Sequence, residues 1–226
     1  MKMFYSDFYT TVFNESGFTK FSFQMTHKLL EKNYHFNSRK MNMFREKNFR
    51  IIEIGAGKGE HLPFVKDDFS EYLMLDLFDP PENYFGLENS RVKWIKADIC
   101  GQLKDYGLFD RVIVMCVLHH LEDIESAVEN MMRILKPGGA ITIFLPSDPG
   151  LFNRLNRRIF VTSKAKKHGF FNYDLVNALE HRNHCYSIDK QLKYLFKDFN
   201  VSRKFYPINL PFYDFTLFSI WNITKN

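Results

Sequence analysis

A glycine-rich segment is the part of the sequence whose residue types best suit ligand binding. Residues 50–60 read RIIEIGAGKGE and place Gly55, Gly57 and Gly59 at alternate positions. Glycine tolerates positive φ angles and allows a close approach of backbone to ligand. The G-x-G-x-G spacing differs from the G-x-G-x-x-G of dinucleotide-binding loops and from the Walker spacing. Glu53, just before the loop, favours a ligand with a cationic ammonium or sulfonium group, and the loop is expected to open a helix.

Two further acids follow apolar runs and extend this candidate site. Asp76 ends the run 72–76, YLMLD, and lies 23 residues after Glu53. A carboxylate about 20 residues beyond such a loop, at the next strand's end, can accept both ribose hydroxyl groups. Asp98 follows a third run, where it can accept an adenine amino hydrogen. Taken alone, each acid is equally compatible with a turn or a helix cap, and the spacing to the loop favours a nucleoside site.

Histidines supply the candidate catalytic groups. His119 and His120 follow a fourth apolar run, and His181 and His184 lie in the segment 180–184, EHRNH. Imidazole titrates near neutral pH, so His120, His119 and His181 are candidate bases for an acceptor's proton. The alternative is that they cap or pack neighbouring helices. The EHRNH segment lacks the metalloprotease spacing, which favours a polar lid or a base over a metal site.

A basic segment lies between these two groups of histidines. It contains six cations within 14 positions and no acid: Arg154, Arg157, Arg158, Lys164, Lys166 and Lys167. Arginine grips phosphate well, so the segment is a candidate site for a phosphate-bearing acceptor. A solvated helix face is the alternative interpretation.

Apolar runs and helical spacings indicate the elements that would position these residues. A helix is expected over 19–33, another from Ile124 to Leu135 ended by Lys-Pro-Gly-Gly, and two helical pieces over 173–199. Alternating strands and helices predict βαβ units and a mainly parallel sheet. The predicted strands are 49–54, 72–75, 92–95, 111–117 and 140–145, with 200–206 and 214–223 closing the sheet.

Composition limits the functional classes. The 226 residues carry a net charge of +5 and are 45% apolar and 25% charged, which is typical of one globular domain. That small excess of charge gives no argument for nucleic acid, and no apolar run is long enough for a membrane span. Asp7 and Glu15 interrupt any signal-peptide pattern, and the three cysteines form no C-x-x-C pair. A cytoplasmic protein with reduced thiols and no metal site is expected.

Residues 49–145 resemble the class I S-adenosylmethionine (SAM)-dependent methyltransferases. The likeness rests on Glu53-x-Gly55-x-Gly57-x-Gly59, Asp76, Ala97-Asp98-Ile99, 117–123 (VLHHLED) and 135–139 (LKPGG). It implies an α/β fold: a Rossmann-like, doubly wound, seven-stranded sheet, mainly parallel with an antiparallel last strand. It also implies one domain with an N-terminal helical cap (1–48), a SAM-binding core (49–145), a substrate-covering insertion (146–199) and closing strands (200–226).

The resemblance assigns SAM-binding roles residue by residue. Gly55, Ala56 and Gly57 would hold the methionine part, with Glu53 and Gly59 completing the loop. Asp76 would hold the ribose, and Leu77 would lie against the adenine ring. Asp98 and Ile99 would also hold the adenine, and the backbone of Cys116 would meet the SAM amino group.

The resemblance also implies a reaction, methyl transfer to O or N of a small metabolite. The LHHL and LKPGG segments look like the branch that includes quinone-biosynthesis methyltransferases. The segments 146–150 and 180–183 look like methyltransferases of bacterial capsule and lipopolysaccharide genes, which suggests a phosphorylated or nucleotide-linked surface-glycan precursor. An NAD-dependent oxidoreductase and a non-catalytic SAM-binding protein are the alternatives. The loop spacing and Glu53 disfavour the first, and the intact loop and strand ends disfavour the second.

Overall fold

A single β-sheet organises the computed structural model, which describes residues 18–40 and 48–225. Its strands are β1 (Arg50–Ile54), β2 (Glu71–Asp76), β3 (Val92–Lys96), β4 (Phe109–Met115), β5 (Leu135–Pro146), β6 (Asn200–Tyr206) and β7 (Phe218–Thr224). The strand order is β3-β2-β1-β4-β5-β7-β6. Strands β1 to β5 pair in parallel, and β7 runs antiparallel between β5 and β6. The predicted fold class is confirmed.

The strand ends differ from the predicted runs where the backbone turns. β4 stops at Met115, two residues before the predicted end, because Cys116 has a φ of 55°, which is incompatible with an extended strand. β5 begins at Leu135, the expected last residue of the preceding helix, and includes the Lys-Pro-Gly-Gly segment expected only to stop that helix. Leu135 is buried and pairs with Phe109, so the chain passes directly from helix to strand. The last predicted strand begins late, at Phe218, after a single 3₁₀ turn over Tyr213–Phe215.

Helices flank the sheet. They are α1 (Phe18–Lys40), α2 (Ile124–Ile134), α3 (Leu151–Asn156), a π-helical segment (Arg157–Thr162), α4 (Ser163–Lys167), α5 (Tyr173–Glu180) and α6 (Cys185–Leu195). α1 extends the predicted 19–33 helix, while 1–17 and 41–47 of the expected N-terminal cap lie outside the described residues. The helix expected after the glycine loop is absent from the described structure. Turns and a 3₁₀ turn over Leu62–Phe64 take its place, with Pro63 in its first turn.

The sheet is covered on both faces. One core cluster packs α2 and α6 against it through residues such as Val128, Met131 and Leu192, and the other joins Leu30 of α1 to residues such as Ile51 and Ile113. Burial of these side chains removes apolar surface from water and is the main contribution to stability. No helix among the described residues is long and apolar enough to cross a membrane.

A buried ionic network also joins α1 to the sheet. The guanidinium of Arg111, on β4, donates to Glu31 Oε1 at 2.6 Å and to Asp67 Oδ2 at 3.3 Å. It lies 3.6 Å from the ring centroid of Tyr34. Arg111 is fully buried, so these contacts must compensate for the loss of its hydration. The network therefore fixes how α1 lies across the sheet.

Candidate active site

The glycine loop follows β1 and contacts the ends of the two neighbouring strands, β2 and β4. Gly55 and Gly57 have φ angles of +67° and +59°, in the left-handed region that favours glycine. A Cβ at Gly55 would lie 2.4 Å from Val117 Cγ2, so the loop packs directly on the chain that leaves β4. A Cβ at Gly57 would come within 4 Å of the Glu60 carboxylate alone among the described residues. Gly57 is thus the glycine that leaves room for a ligand.

Asp76 lies against this loop, as the spacing predicts. Its Oδ2 accepts a hydrogen bond from the Gly57 amide at 3.0 Å, and its Oδ1 accepts one from the Phe78 amide at 3.1 Å. Leu77, beside it, is exposed, as a residue in contact with a ligand ring must be before binding. The carboxylate and the loop therefore form one continuous surface at the carboxyl ends of β1 and β2.

Asp98 and Ile99 follow β3 at the same edge of the sheet. Asp98 Oδ1 accepts a hydrogen bond from the Cys100 amide at 2.9 Å and so closes a turn. Ile99 is buried, and its carbonyl accepts from Asn130 Nδ2 at 2.7 Å. Asp98 therefore has the turn-forming role that was one of the two possibilities in the sequence analysis. It places both residues at the strand end expected for the adenine.

Glu53 is more enclosed than its position beside the loop suggests. The side chain is buried, and the Tyr72 hydroxyl donates to its Oε2 at 2.7 Å. Burial raises the pKa of the Glu53 carboxyl to about 8, so the neutral form predominates at pH 7. The sequence suggests an anion that attracts a cationic ligand, whereas the structure places a mostly protonated carboxyl within the sheet. Direct contact between Glu53 and a ligand stays a prediction.

Cys116 turns the chain out of β4 towards the histidines. It has the one positive φ angle among the described non-glycine residues, and its amide donates to the Phe144 carbonyl at 3.3 Å. Such conformations are costly and cluster at functional sites. Burial raises the pKa of its thiol to about 12, so the thiol is protonated and unreactive at neutral pH. The backbone at Cys116 is therefore the part suited to a ligand contact.

The three candidate catalytic histidines meet in space, although about 60 residues separate His181 from the other two. The ring centroids of His119 and His120 are 4.1 Å apart, and those of His119 and His181 are 4.2 Å apart. His181 follows the end of α5, and His184 lines the neighbouring cavity outside this group. We call His119, His120 and His181 the histidine cluster.

Hydrogen bonds orient two members of the histidine cluster. His120 Nδ1 donates to the Glu180 carbonyl at 2.9 Å, and His181 Nδ1 donates to Asp148 Oδ2 at 2.5 Å. In the neutral form of either ring, this leaves Nε2 as the nitrogen that carries the lone pair. Burial, with a smaller contribution from His181, lowers the pKa of His120 to about 4, and burial lowers that of His119 well below 6.5. Those two imidazoles are therefore neutral at pH 7.

Asp148 is a site residue that the sequence interpretation missed. Burial raises its pKa, but the hydrogen bonds from His181 and Arg157 outweigh burial and bring the pKa down to about 2. Its Oδ1 accepts from the Arg157 guanidinium at 2.6 Å. The available signal was position, since Asp148 is the only acid between Pro146 and Tyr173. A turn explains an Asp between Ser147 and Pro149 equally well.

A cavity of about 780 Å³ opens beside the histidine cluster. The cationic side chains that line it are Arg154, Arg157, Arg158 and Lys166, and the imidazoles of His181 and His184 also line it. Arg157 is engaged by Asp148, whereas within the described part of the chain Arg154, Arg158 and Lys166 make no ion pair. Lys164 and Lys167, also in the predicted basic segment, do not line the cavity. The basic segment therefore has two faces. Its cavity face comprises Arg154, Arg157, Arg158 and Lys166, and its outer face comprises Lys164 and Lys167.

The π-helical segment keeps the cations of the cavity face on one side of the helix. In an α-helix, each step of four residues rotates about 40° beyond a full turn, so Arg154, Arg158 and Lys166 would drift apart around the axis. The wider π turn over Arg157–Thr162 offsets this drift. The three cations therefore line one cavity.

Among the described residues, two groups of side chains have distances compatible with a metal ion. One is the histidine cluster, whose ligand atoms all lie within 4.8 Å of one another, and the other comprises Glu31, His35 and Asp67. In the second group, the guanidinium of Arg111 contacts both carboxylates and already supplies the positive charge.

Part of the chain is similar in sequence to known proteins. Residues 52–143 match the family model described as a methyltransferase domain. A hybrid PKS-NRPS synthetase of Penicillium citrinum, gkaA, is 30% identical over 116 residues, which is 46% of this chain. The chain spans only 3% of that protein's length.

Solved structures show the same fold at low identity. The plantazolicin methyltransferase BpumL, solved with a monoazolic desmethylPZN analog and SAH, superposes with a TM-score of 0.65 at 15% identity and covers 100% of this chain and 90% of its own. The N-methyltransferase NodS of Bradyrhizobium japonicum, solved with SAH, gives a TM-score of 0.53 at 16% identity over 87% of each chain. Residues 52–143 thus match a methyltransferase domain, and these solved structures show that the whole described chain has the same fold.

Proposed function

We propose that the protein transfers a methyl group from SAM to an oxygen or nitrogen of a small acceptor. The observation that carries the proposal is the shared edge of the sheet. The glycine loop and Asp76 lie at the carboxyl ends of β1 and β2, and the histidine cluster begins just after the end of β4. Ligands of open α/β sheets bind at this edge.

The proposed SAM site spans the first four strand ends. Gly55, Ala56 and Gly57 hold the methionine part, Asp76 the ribose, and Leu77 packs on the adenine. The other proposed contacts are Gly59, Asp98, Ile99 and the backbone of Cys116, with Glu53 beneath the loop. Residues 49–145 would form the SAM-binding core, with 1–48 as a cap, 146–199 as the substrate-covering insertion and 200–226 as closing strands. A cytoplasmic location is part of the proposal.

The proposed acceptor carries an anionic group such as phosphate. Arg154, Arg158 and Lys166 line the cavity without ion-pair partners in the described chain, and SAM itself has no phosphate for them to bind. A phosphorylated or nucleotide-linked precursor of a bacterial surface glycan would satisfy this chemistry. The neighbouring methyltransferase BpumL was solved with SAH and a monoazolic desmethylPZN analog, so this fold can hold the cofactor product together with a second ligand.

The histidine cluster is the proposed acceptor-activating site. When the methyl group leaves the sulfonium for an O–H or N–H group, the acceptor must lose a proton. An imidazole lone pair can accept that proton, or it can bind an ion that makes the acceptor more acidic. Both roles make His120, His119 and His181 catalytic, and neither requires them for SAM binding. Variants of the cluster should therefore lower kcat and leave SAM affinity unchanged.

A comparison of Arg158→Ala with Lys167→Ala tests the acceptor assignment. SAH release would be followed with phosphorylated and dephosphorylated forms of each candidate acceptor. Loss of one charged hydrogen bond should raise the KM of the phosphorylated acceptor about tenfold in Arg158→Ala, with SAM affinity unchanged. Lys167→Ala, altered on the outer face of the same segment, should behave like the wild type. Equal kinetics with both acceptor forms would contradict an anion site.

A further inference from the structure

We propose that His119, His120 and His181 together bind one divalent transition-metal ion. The inference deepens the proposed function, on which it rests only for the ion's role in the reaction. Metal binding itself can be measured without any acceptor. The three imidazoles come from two segments of the chain, the turn after β4 and the end of α5, which the fold brings together.

The geometry of the histidine cluster meets the first requirement for a shared ion. One ligand atom of each histidine lies within 4.8 Å of the ligand atoms of the other two. Nitrogen ligands about 2.0–2.1 Å from a tetrahedral ion lie roughly 3.3–3.4 Å apart, so modest side-chain rotations would complete the site. The ring centroids of His120 and His181 are 5.1 Å apart and their planes are nearly perpendicular, an arrangement that is open to an ion between them.

The surroundings supply the outer contacts that metal-binding histidines require. Such a histidine usually donates its second ring N–H to a carboxylate or a backbone carbonyl. His181 donates to the Asp148 carboxylate, and His120 donates to the Glu180 carbonyl. Both bonds fix the tautomer that presents Nε2 as ligand. Asp148 is itself held by Arg157, so this outer contact is rigid.

His119 provides an independent observation. It is 4% exposed, and its Nδ1 has no hydrogen-bond partner among the described residues. Burying an unpaired polar nitrogen is costly unless something satisfies it. An ion in the histidine cluster would draw this side chain into coordination and remove the cost.

Three converging imidazoles suit an ion better than they suit a base. A base needs one imidazole, whereas here the ligand atoms of three imidazoles lie within 4.8 Å of one another. Metal ions bind imidazole in its neutral form, through a ring nitrogen lone pair.

The ligand set indicates the class of ion. Imidazole nitrogens suit Zn²⁺, Co²⁺, Ni²⁺ and Fe²⁺, whereas Mg²⁺ and Ca²⁺ prefer oxygen ligands. Three protein ligands leave a fourth position for the acceptor's oxygen or nitrogen. The ion would lower the acceptor's pKa, and the acceptor proton would pass to water. The S–CH₃ bond of SAM breaks with its electron pair on sulfur as the new bond to the acceptor forms.

Calorimetry on the chelator-treated, untagged full-length protein tests the inference. Zn²⁺ should bind with one ion per chain, and Mg²⁺ at the same concentration should give no saturable heat. Co²⁺ should give the visible absorption of a nitrogen-bound tetrahedral ion. Asp148→Asn, which keeps the ligands but weakens an outer contact, should lower Zn²⁺ affinity about 10–100-fold. His120→Ala and His181→Ala should lower it further.

Two histidine variants outside the histidine cluster serve as matched controls. His184→Ala alters the same cavity, and His35→Ala alters the second candidate group with Glu31 and Asp67. Both should retain wild-type Zn²⁺ affinity, with circular dichroism confirming that every variant folds. No Zn²⁺ binding by the wild type, or wild-type binding by His120→Ala and His181→Ala, would overturn the inference. SAH titration of the same metal-free samples separates this failure from that of the proposed function, because SAH binding requires no ion.

Discussion

At the scale of single residues, Asp76 joins the glycine loop to the proposed ribose site. Its carboxylate already accepts two backbone hydrogen bonds, which fix its position before the ligand arrives. Replacing Asp76 with Ala should weaken SAM binding by about 1.5–3 kcal/mol, because a charged acceptor for the ribose hydroxyl groups is lost. Titration calorimetry with SAM measures this. Asp79→Ala is the control, since the Asp79 carboxylate pairs with Lys96, and this variant should bind SAM normally. Unchanged SAM affinity in Asp76→Ala would contradict the ribose assignment.

Glu53 makes a prediction about pH and stability. Its folded-state pKa of about 8 lies above the ordinary value of 4.5, so the folded protein holds this proton more tightly than the unfolded chain. Its contribution to the free energy of unfolding should therefore fall as pH rises from 4.5 to 8, at up to about 1.4 kcal/mol per pH unit. Urea unfolding of the wild type and Glu53→Gln across this range measures it. The variant should lack this component, and identical pH dependence in both proteins would contradict the assignment.

The individual site residues were predictable from sequence to different degrees. Asp76 and the glycine loop could be paired because a strand-and-spacing rule connects them. His181 could be suspected of polar function, but its contact with His119 depends on how α5 folds back over the end of β4. Asp148 was missed because a turn explains an isolated Asp equally well, and only the tertiary contact with His181 and Arg157 distinguishes the two.

At the scale of elements, the network around Arg111 couples α1 to β4. Removing one partner of a buried charge typically costs about 3–5 kcal/mol, because the other charge stays buried. We expect Glu31→Ala to lower the free energy of unfolding by about that amount in urea denaturation. Asp68→Ala, which removes the almost fully exposed partner of Arg91, is the control and should change stability little. Equal stability of both variants would show that α1 contributes little to the fold.

The elements that the sequence predicted least well are those governed by long-range contacts. Turns around Pro63 replace the helix expected after the glycine loop. The π-helical segment over Arg157–Thr162 has no local sequence pattern that predicts it. The strands were predicted closely, because buried parallel strands leave continuous apolar runs. The basic segment could be located, but its division into a cavity face and an outer face required the structure.

At the scale of the whole molecule, the strand order places the glycine loop and the turn after β4 side by side. β1 lies between β2 and β4, so the loop after β1 contacts Asp76 on one side and Val117 on the other. The alternation of strands and helices predicted the parallel sheet, whereas the strand order is known only from the structure. One small sheet edge can then present SAM and the acceptor to each other, which is how proximity accelerates methyl transfer.

The most direct test of this account is isothermal titration of the full-length protein with SAH and, separately, with NAD⁺. The G-x-G-x-G loop together with Asp76 predicts one SAH molecule per chain and no saturable heat with NAD⁺. SAH carries the adenosine and amino-acid groups that the proposed contacts recognise, and it cannot be consumed during the titration. Binding of NAD⁺ without binding of SAH would contradict the account and favour an oxidoreductase on the same sheet.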